Sequence, residues 1–412
     1  MRLRVDSKPH AWLNRGHSHH YTLFLPGKAF NGLLTSDDMT VGMRIRRLIA
    51  FFFRSLLWSL NLLLVVYTGI AYWLLYSLQT EHWLAGMIMI SIPVAWVLNI
   101  ITIGLWLTTR PQRSWLSGVA IIVGILLFGS RTFVWHSPTS PDSTGNALKV
   151  FSYNAHWFGA EDLQGENADT STIRRNMDYV LQYDAPVKCF QEFYSTSTIP
   201  SFNLAQQLHK AGYLYSAVLH PELENALTEY AGVGVALFSV YPIVSSGREI
   251  FDGHNGLVWA NIKVKNDTIR IINLHLHSMG IRVGRVLKQQ GMQGVQHETH
   301  GVLSALRTGF IDRNEEVRRV ERYIRESPYP VIVTGDHNDT PYSVVYERLR
   351  RTLPNSFEDA GRGFGFSYNR LPGFIRIDHQ FHDPSLSVLN FETLSQIKNS
   401  DHYPIAGTYL VK

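Results

Sequence analysis

The chain has 412 residues, a formal net charge of +5, one cysteine and a hydrophobic fraction of 45%. That length argues for two or three domains, and the lone Cys189 excludes a disulfide framework and a thiolate-rich zinc site. From Ala147 onward 26 basic side chains face 28 acidic ones, so the positive surplus lies in the N-terminal part and is no sign of nucleic-acid binding.

Residues 1–43 are polar and read as a cytoplasmic tail. His17, His19 and His20 could bind a metal, but a disordered tail, or a start upstream of the true one at Met39 or Met43, explains them better. Three apolar stretches follow, at about 55–78, 83–107 and 115–134, within a membrane domain of 44–136. Crossing a hydrocarbon core takes about 20 apolar residues. Asn61 and Asn99 are the main polar interruptions, and Arg131 near the end of the third stretch is expected to snorkel to the interface. Trp73, Trp83, Trp106 and Trp115 sit near the ends, as interfacial anchors do. No cleavage site accompanies these stretches, so they do not read as a signal peptide.

Arg44, Arg46, Arg47 and Arg54 precede the first stretch, Glu81 lies in the first link, and Arg110 and Arg113 lie in the second. The positive-inside rule then keeps the N-terminus in the cytoplasm. Three crossings put the rest outside, which in a bacterium with two membranes is the periplasmic face of the inner membrane. The linker, 137–146, is rich in Pro, Ser and Gly.

Residues 147–412 alternate short β-branched runs with helical stretches. LKVFSYN reads as a strand, and Ile173, Met177, Val180 and Leu181 recur at helical spacing. VKCFQE is a strand that makes Cys189 a small buried hydrophobe. VGVALFSVYPIV and TIRIINLHLHS read as one strand each. Val317, Val320 and Ile324 mark a helix ahead of the strand YPVIVTGDHND. IRIDHQF and SDHYPIAGTYLV close the chain. The fold class is α/β, a layered sandwich preceded by a bundle of three transmembrane helices.

Nearly every strand ends in a carboxylate, an amide or a histidine: Asn154, Glu192, His275, Asp336 with Asn338, Asp378, and Asp401 with His402. Singly, such residues are turn formers. Together they converge on one rim. Oxygen donors without thiolates suit Mg²⁺ or Mn²⁺, and such a site with histidines is suited to hydrolysing phosphate esters.

These motifs carry a resemblance. SYN at 152–154, QE at 191–192, ALFSVYPI at 236–243, NLHL at 273–276, GDHN at 335–338, RIDH at 376–379 and SDH at 400–402 occur in the order of the endonuclease/exonuclease/phosphatase superfamily. With the spans ahead, the chain resembles its bacterial membrane-anchored branch. The resemblance implies a deoxyribonuclease I-like, four-layer α/β/β/α sandwich over 147–412. It implies Glu192 as the main metal ligand, with Asn154 beside it and Asp401 as a further ligand. It implies that Asp336 activates the attacking water, Asn338 bonds that water or the phosphate, and His275 contacts a phosphoryl oxygen. Asp378 would orient His402, and His402 would stabilise the pentacovalent phosphorus. His277, two residues after His275, is read as facing the same way, as a second phosphate contact or a structural hydrogen bond. Asn273 is a further candidate contact. His337 stands where the family has Phe and, by alternation, should point away. Val240 replaces a basic residue on the substrate side.

The implied partners are a phosphate-ester substrate and the lipid bilayer. The near-neutral soluble domain disfavours long nucleic acid, so a lipid headgroup or small phosphodiester is preferred to a nuclease substrate. A non-catalytic phosphate- or lipid-binding scaffold is the alternative of another class. Nothing points to a protein partner. Residues 281–310 carry Arg282, Arg285, Lys288 and Arg307 among Val283, Val286, Leu287, Val302, Leu303 and Leu306, and read as a lid or membrane-contacting insertion over the site, or as an ordinary surface helix pair. AGRGFGFSYN, 360–369, reads as a loop near the rim.

Overall fold

A computed structural model describes residues 41–139, 147–159, 170–196, 202–220, 234–278, 292–370 and 373–411. The histidine cluster at 17–20, most of the linker and residues 281–291 of the lid region lie outside them. The chain divides into two compact units, Met1–Leu60 and Asn61–Lys412. The described part of the first, 41–60, is helical.

Helix α1 (Val41–Ser77) begins well before the expected 55, because Arg, Ile, Leu and Phe in the basic flank all sustain a helix. The stretch expected as one helix over 83–107 is two, α2 (Trp83–Ile90) and α3 (Ile92–Thr109). Pro93 lies in the first turn of α3 and offers no N–H to the turn before it. A short 3₁₀ turn (Pro111–Arg113) leads to α4 (Trp115–Thr132). Helices α1, α3 and α4 are each long and apolar enough to cross a membrane.

Within the second unit, the polar interruptions are bundle contacts. Ser117 donates to Asn61 at 2.7 Å and Asn99 donates to Thr68 at 3.0 Å, joining α1 to α4 and to α3. Trp106 is buried beside the Arg113 guanidinium, 5.1 Å above its ring, and is not an exposed anchor. Arg131 does not snorkel. It is buried against the α/β domain, where its guanidinium meets Glu347 at 2.8 Å.

After α4 come β1 (Val134–Trp135), β2 (Ala147–Asn154), α5 (Thr170–Gln182), β3 (Val187–Gln191), α6 (Leu204–Lys210), β4 (Tyr215–Val218), β5 (Ala236–Ser239), β6 (Ile243–Asp252), β7 (Asn255–Val264) and β8 (Asp267–His275). Then follow α7 (Met292–Arg325), β9 (Val331–Asp336), α8 (Val344–Thr352), α9 (Ser356–Ala360), β10 (Arg362–Gly363), β11 (Asp378–His382), β12 (Ser387–Thr393) and β13 (Ile405–Leu410). One sheet has the order β12-β13-β2-β3-β5-β4, a second β11-β9-β8-β7-β6, and β1 pairs with β10. The run 233–244, expected as one strand, divides at Val240–Pro242. Its halves join different sheets, because a prolyl nitrogen cannot extend a ladder.

The fold is the expected four-layer sandwich. Leu148, Val150, Val187, Cys189 and Leu237 of the first sheet pack on Val258, Ala260, Ile271 and Ile332 of the second. Helices α5 and α6 cover the outer face of the first sheet, with Ile173, Met177 and Leu208 buried. Helices α7 and α8 cover the other, with Val317, Val320, Ile324 and Leu349 buried. Residues 292–310 of the lid region form the first part of one helix, α7. The Phe310 ring lies where a Cβ on Gly86 of α2 would sit.

Candidate active site

Strand register assembles the rim. Parallel pairing of β2 with β3 sets Asn154 opposite Gln191, the residue before Glu192. Parallel pairing of β8 with β9 sets His275 opposite Asp336, and antiparallel pairing of β9 with β11 sets Asp336 opposite Asp378. Partners in register share a face, so His275, Asp336 and Asp378 form one row. Asn154 ties the two sheets together there, donating to Asp336 Oδ2 at 2.9 Å and Glu192 Oε1 at 3.2 Å.

Two residues reach the rim at a conformational cost. Glu192 and Asn338 have φ of +47° and +49°. Left-handed backbone suits Asn but costs a Glu about 1 kcal/mol or more, and it lifts the Glu192 carboxylate off the end of β3. Gly335, at φ +136°, permits the close approach of β9 to β8: a Cβ there would collide with the Leu274 carbonyl oxygen.

The electrostatics are uneven. His402 Nδ1 lies 2.8 Å from Asp378 Oδ2, and its Nε2 lies 3.7 Å from Asp336 Oδ2. Burial opposes its charge, but Asp378 and Asp336 outweigh burial and raise it to about 10, so the ring is an imidazolium at neutral pH. Burial pushes Asp336 up to about 6 against the pull of His402 and His275. Burial also raises Glu192, opposed by His156 and His402. His275 is depressed by burial and stays neutral. Its Nε2 stands 3.6 Å from Asp336 and 3.7 Å from Glu192, yet neither ring nitrogen has a hydrogen-bond partner among the described residues.

This arrangement fits a hard divalent cation. Ligand atoms of Asp336, Asp378 and His402 lie within 4.8 Å of one another. Because His402 Nδ1 is already engaged by Asp378, the freer oxygens are those of Glu192 and Asp336. Carboxylates crowded in a buried place beside an unpartnered imidazole leave charge and valence that such an ion would satisfy. Asp401 sits at the edge, only partly buried, its Oδ1 3.3 Å from Ser400 Oγ. Asn338 is anchored by its amide N–H to Asp336 Oδ1 at 2.8 Å and by its side chain to the Leu276 carbonyl at 2.9 Å.

Two expected contacts are not at the rim. Strand β8 ends at His275, so alternation does not carry on to His277. The His277 N–H donates to Glu316 at 2.8 Å, and its ring lies 3.9 Å from Asp312. There it lines a separate recess of about 250 Å³ with Glu315 and Arg319. Asn273 is fully buried. It donates to the Phe190 and Ala236 carbonyls and accepts from Gln191, so it joins the sheets and has nothing left for substrate. His337 does point away, with its ring against His379 and Phe381, and burial lowers it to about 4.

Three positions had no role assigned from sequence. The His156 N–H donates to Asn154 Oδ1 at 3.1 Å, fixing the amide's orientation. Asp339 meets the buried Arg313 at 3.1 Å directly behind Asn338. Arg376 is buried and donates to the Phe364 carbonyl at 2.9 Å and to the Arg131 carbonyl at the end of α4. The RIDH motif marked Arg376, but partners this distant leave no local pattern.

The sequence profile of the endonuclease/exonuclease/phosphatase family matches residues 151–402. The chain belongs to this family. Its members are typically hydrolases of phosphodiester bonds and generally need a divalent metal. A second profile, a domain of unknown function (DUF8431), matches residues 54–131. No curated protein matches. Similar solved structures include an endonuclease/exonuclease/phosphatase from Beutenbergia cavernae DSM 12333, at 17% identity over 65% of this chain and 72% of that one, with a TM-score of 0.46. An endonuclease/exonuclease/phosphatase from Bacteroides vulgatus is 16% identical over 65% and 99%, with a TM-score of 0.46. The human Nocturnin catalytic domain with bound sulfate anion is 16% identical over 64% and 94%, with a TM-score of 0.43.

Proposed function

We propose that this family member is a membrane-anchored phosphodiesterase that hydrolyses a lipid headgroup or small phosphodiester. In this reading α1, α3 and α4 cross the bacterial inner membrane, with the hydrolase domain on the periplasmic face. That orientation rests on the basic flank before α1 and on Arg110 and Arg113 in the second link; Glu81 of the first link meets Arg348 of the hydrolase domain at 2.7 Å, so the first link and the domain share one end of the bundle. The reading of the chemistry rests on one observation, the Asp378–His402 pair standing 3.7 Å from Asp336.

Asp336 takes a proton from water as the oxygen attacks phosphorus in line with the leaving alkoxide. The phosphorus–alkoxide bond breaks as the new one forms, and solvent protonates the departing alkoxide to the alcohol. Asn338 holds the water or a phosphoryl oxygen. His402, kept charged by Asp378, donates to the oxygen on which negative charge grows, and neutral His275 donates to another. A divalent cation, Mg²⁺ or Mn²⁺, bound through Glu192 and Asn154 with Asp401 near, would neutralise phosphoryl charge. The near-balance of 26 basic and 28 acidic side chains from Ala147 onward favours a small or lipid ester over a nucleic-acid duplex.

The test is hydrolysis of bis(p-nitrophenyl) phosphate and p-nitrophenyl phosphate by the full chain in detergent, with Mg²⁺, Mn²⁺ or chelator. Metal-dependent turnover favouring the diester is expected, with Asp336→Ala slower by about 10²–10⁴-fold. A folded protein that turns over neither ester, or an Asp336→Ala variant at full rate, would sink the proposal.

A further inference from the structure

The exit from α4 carries aromatic rings that the fold leaves uncovered. Phe133 is 47% exposed, Trp135 64%, Phe364 48% and Phe374 64%. They come from two segments fastened together. Val134 pairs with Gly363 and Trp135 with Arg362, and Arg376 bonds the carbonyls of both Arg131 and Phe364. Ring contacts run through the patch: Phe133 to Phe364 at 5.1 Å, Phe364 stacked on Phe366 at 5.1 Å, and Phe133 stacked on Trp135 at 6.3 Å. The Arg362 guanidinium lies 3.9 Å above the Trp135 ring.

Chain geometry sets the depth of this ledge. Trp135 is three residues past Thr132, the last of α4, a reach of about 10 Å at most. The headgroup zone outside the hydrocarbon core is about 5–8 Å deep on each side. If α4 spans the membrane, Phe133 falls within that zone and Trp135 at its outer edge. The composition matches the location. Residues 361–375 contain Arg362 and Arg370, both exposed, and no acidic side chain. Rings interleaved with arginine suit an anionic lipid–water boundary.

The same loop ends in the candidate site. Tyr368 forms a backbone bridge with His402, their rings 5.3 Å apart. Ser367 Oγ accepts the Asp378 N–H at 3.1 Å, and the Asn369 N–H donates to the Asp401 carbonyl at 2.8 Å. Contacts therefore run without a break from the end of α4, through Phe364 and Phe366, to the Asp378–His402 pair.

We infer that this ledge lies in the lipid–water interface of the bilayer that α4 crosses, and that substrate reaches His402 from the bilayer. The substrate class is then an amphiphile whose phosphodiester stands at headgroup level. The location of the ledge rests on the spanning reading, and the substrate class rests also on the phosphoesterase reading.

Site-directed labelling tests the location without activity. Cys189 is buried, so cysteines introduced by Phe364→Cys, Phe374→Cys or Val240→Cys are the reactive ones. Val240 is the control: expected on the substrate side, it instead lies in the turn after β5, at the end of β3 away from the rim. The full chain goes into vesicles of phosphatidylcholine and phosphatidylglycerol with a nitrobenzoxadiazole label. Labels at 364 and 374 should be quenched by spin-labelled lipid and shielded from aqueous iodide, and the label at 240 the reverse. Equal behaviour at all three positions overturns the ledge.

The substrate class is read from hexadecyl p-nitrophenyl phosphate in those vesicles against soluble bis(p-nitrophenyl) phosphate. The ratio of the two rates should fall about tenfold or more in the Phe364→Ser/Phe374→Ser variant. An unchanged ratio overturns delivery from the bilayer. Absence of both activities in the unmutated chain defeats the phosphoesterase reading, and the substrate class with it, while the labels still decide the ledge.

Discussion

The seam between the helices and the hydrolase domain, and the rim of the candidate site, both bury charge, but they treat it differently. In the seam, carboxylates and guanidiniums are matched: Arg131 with Glu347 at 2.8 Å, Arg348 with Glu81 at 2.7 Å, Arg350 with Glu358 at 2.7 Å. At the rim, Glu192, Asp336 and Asp378 crowd two histidines, one of which has no hydrogen-bond partner among the described residues. Folding pairs the seam's charges with one another. The rim is left with open valences and with left-handed backbone at Glu192, features that serve a ligand better than stability.

The comparison can be broken most forcefully at Arg131. Arg131→Met removes the buried partner of Glu347 and leaves it only the half-exposed Arg351, 3.2 Å away, and should cost about 3 kcal/mol, the low end for breaking a buried pair, read as a lowered thermal midpoint of the full chain in detergent. Adding Glu347→Leu should recover most of that loss. A single variant as stable as the parent would mean that the seam does not depend on the pair.

A smaller effect is expected at Asn273, which neighbours the rim but is fully used by the fold. Asn273→Ala takes one of the two acceptors of Gln191 Nε2 and the donor to two carbonyls and should cost about 1–3 kcal/mol in a denaturant titration. No loss would show that the sheets are not joined there as described.

Lys188 sharpens the contrast further, as a buried charge with no carboxylate bonded to it, held by carbonyls and by the Tyr213 ring 4.7 Å away. Its ammonium donates to the Val180 and Leu181 carbonyls. Burial lowers it from 10.5 to about 8. Between those values the unfolded chain holds the proton and the folded chain does not, so stability should rise as pH climbs through that window. Below it both states are charged and the gain is absent. The unfolding midpoint should climb with pH in the parent and flatten in Lys188→Met; parallel profiles would contradict the assignment.

Much of this was legible in the sequence where local rules suffice. Asn154, Glu192, Asp336 and Asp378 were readable because each lies at or beside the end of a strand, and register then brings them together. Rules that extrapolate failed where the backbone changes course. Alternation placed His277 beside His275, but β8 stops at His275. Apolarity ran through 83–107, but Ser91 and Pro93 divide that helix. Hydropathy sent Arg131 to the interface because its partner, Glu347, lies more than 200 residues away. The short edge strand β4 and the strands β7 and β12 were not singled out, because none ends in the kind of residue that drew attention to the rim.

The central claim is that chemistry belongs to the rim and not to the neighbouring His277 recess. Its most direct test is one assay of metal-dependent diester turnover comparing His402→Ala with His277→Ala. Loss of about 10²-fold or more is expected for His402→Ala, with His277→Ala within about threefold of the parent. The reverse order, or equal losses in both, would contradict the account.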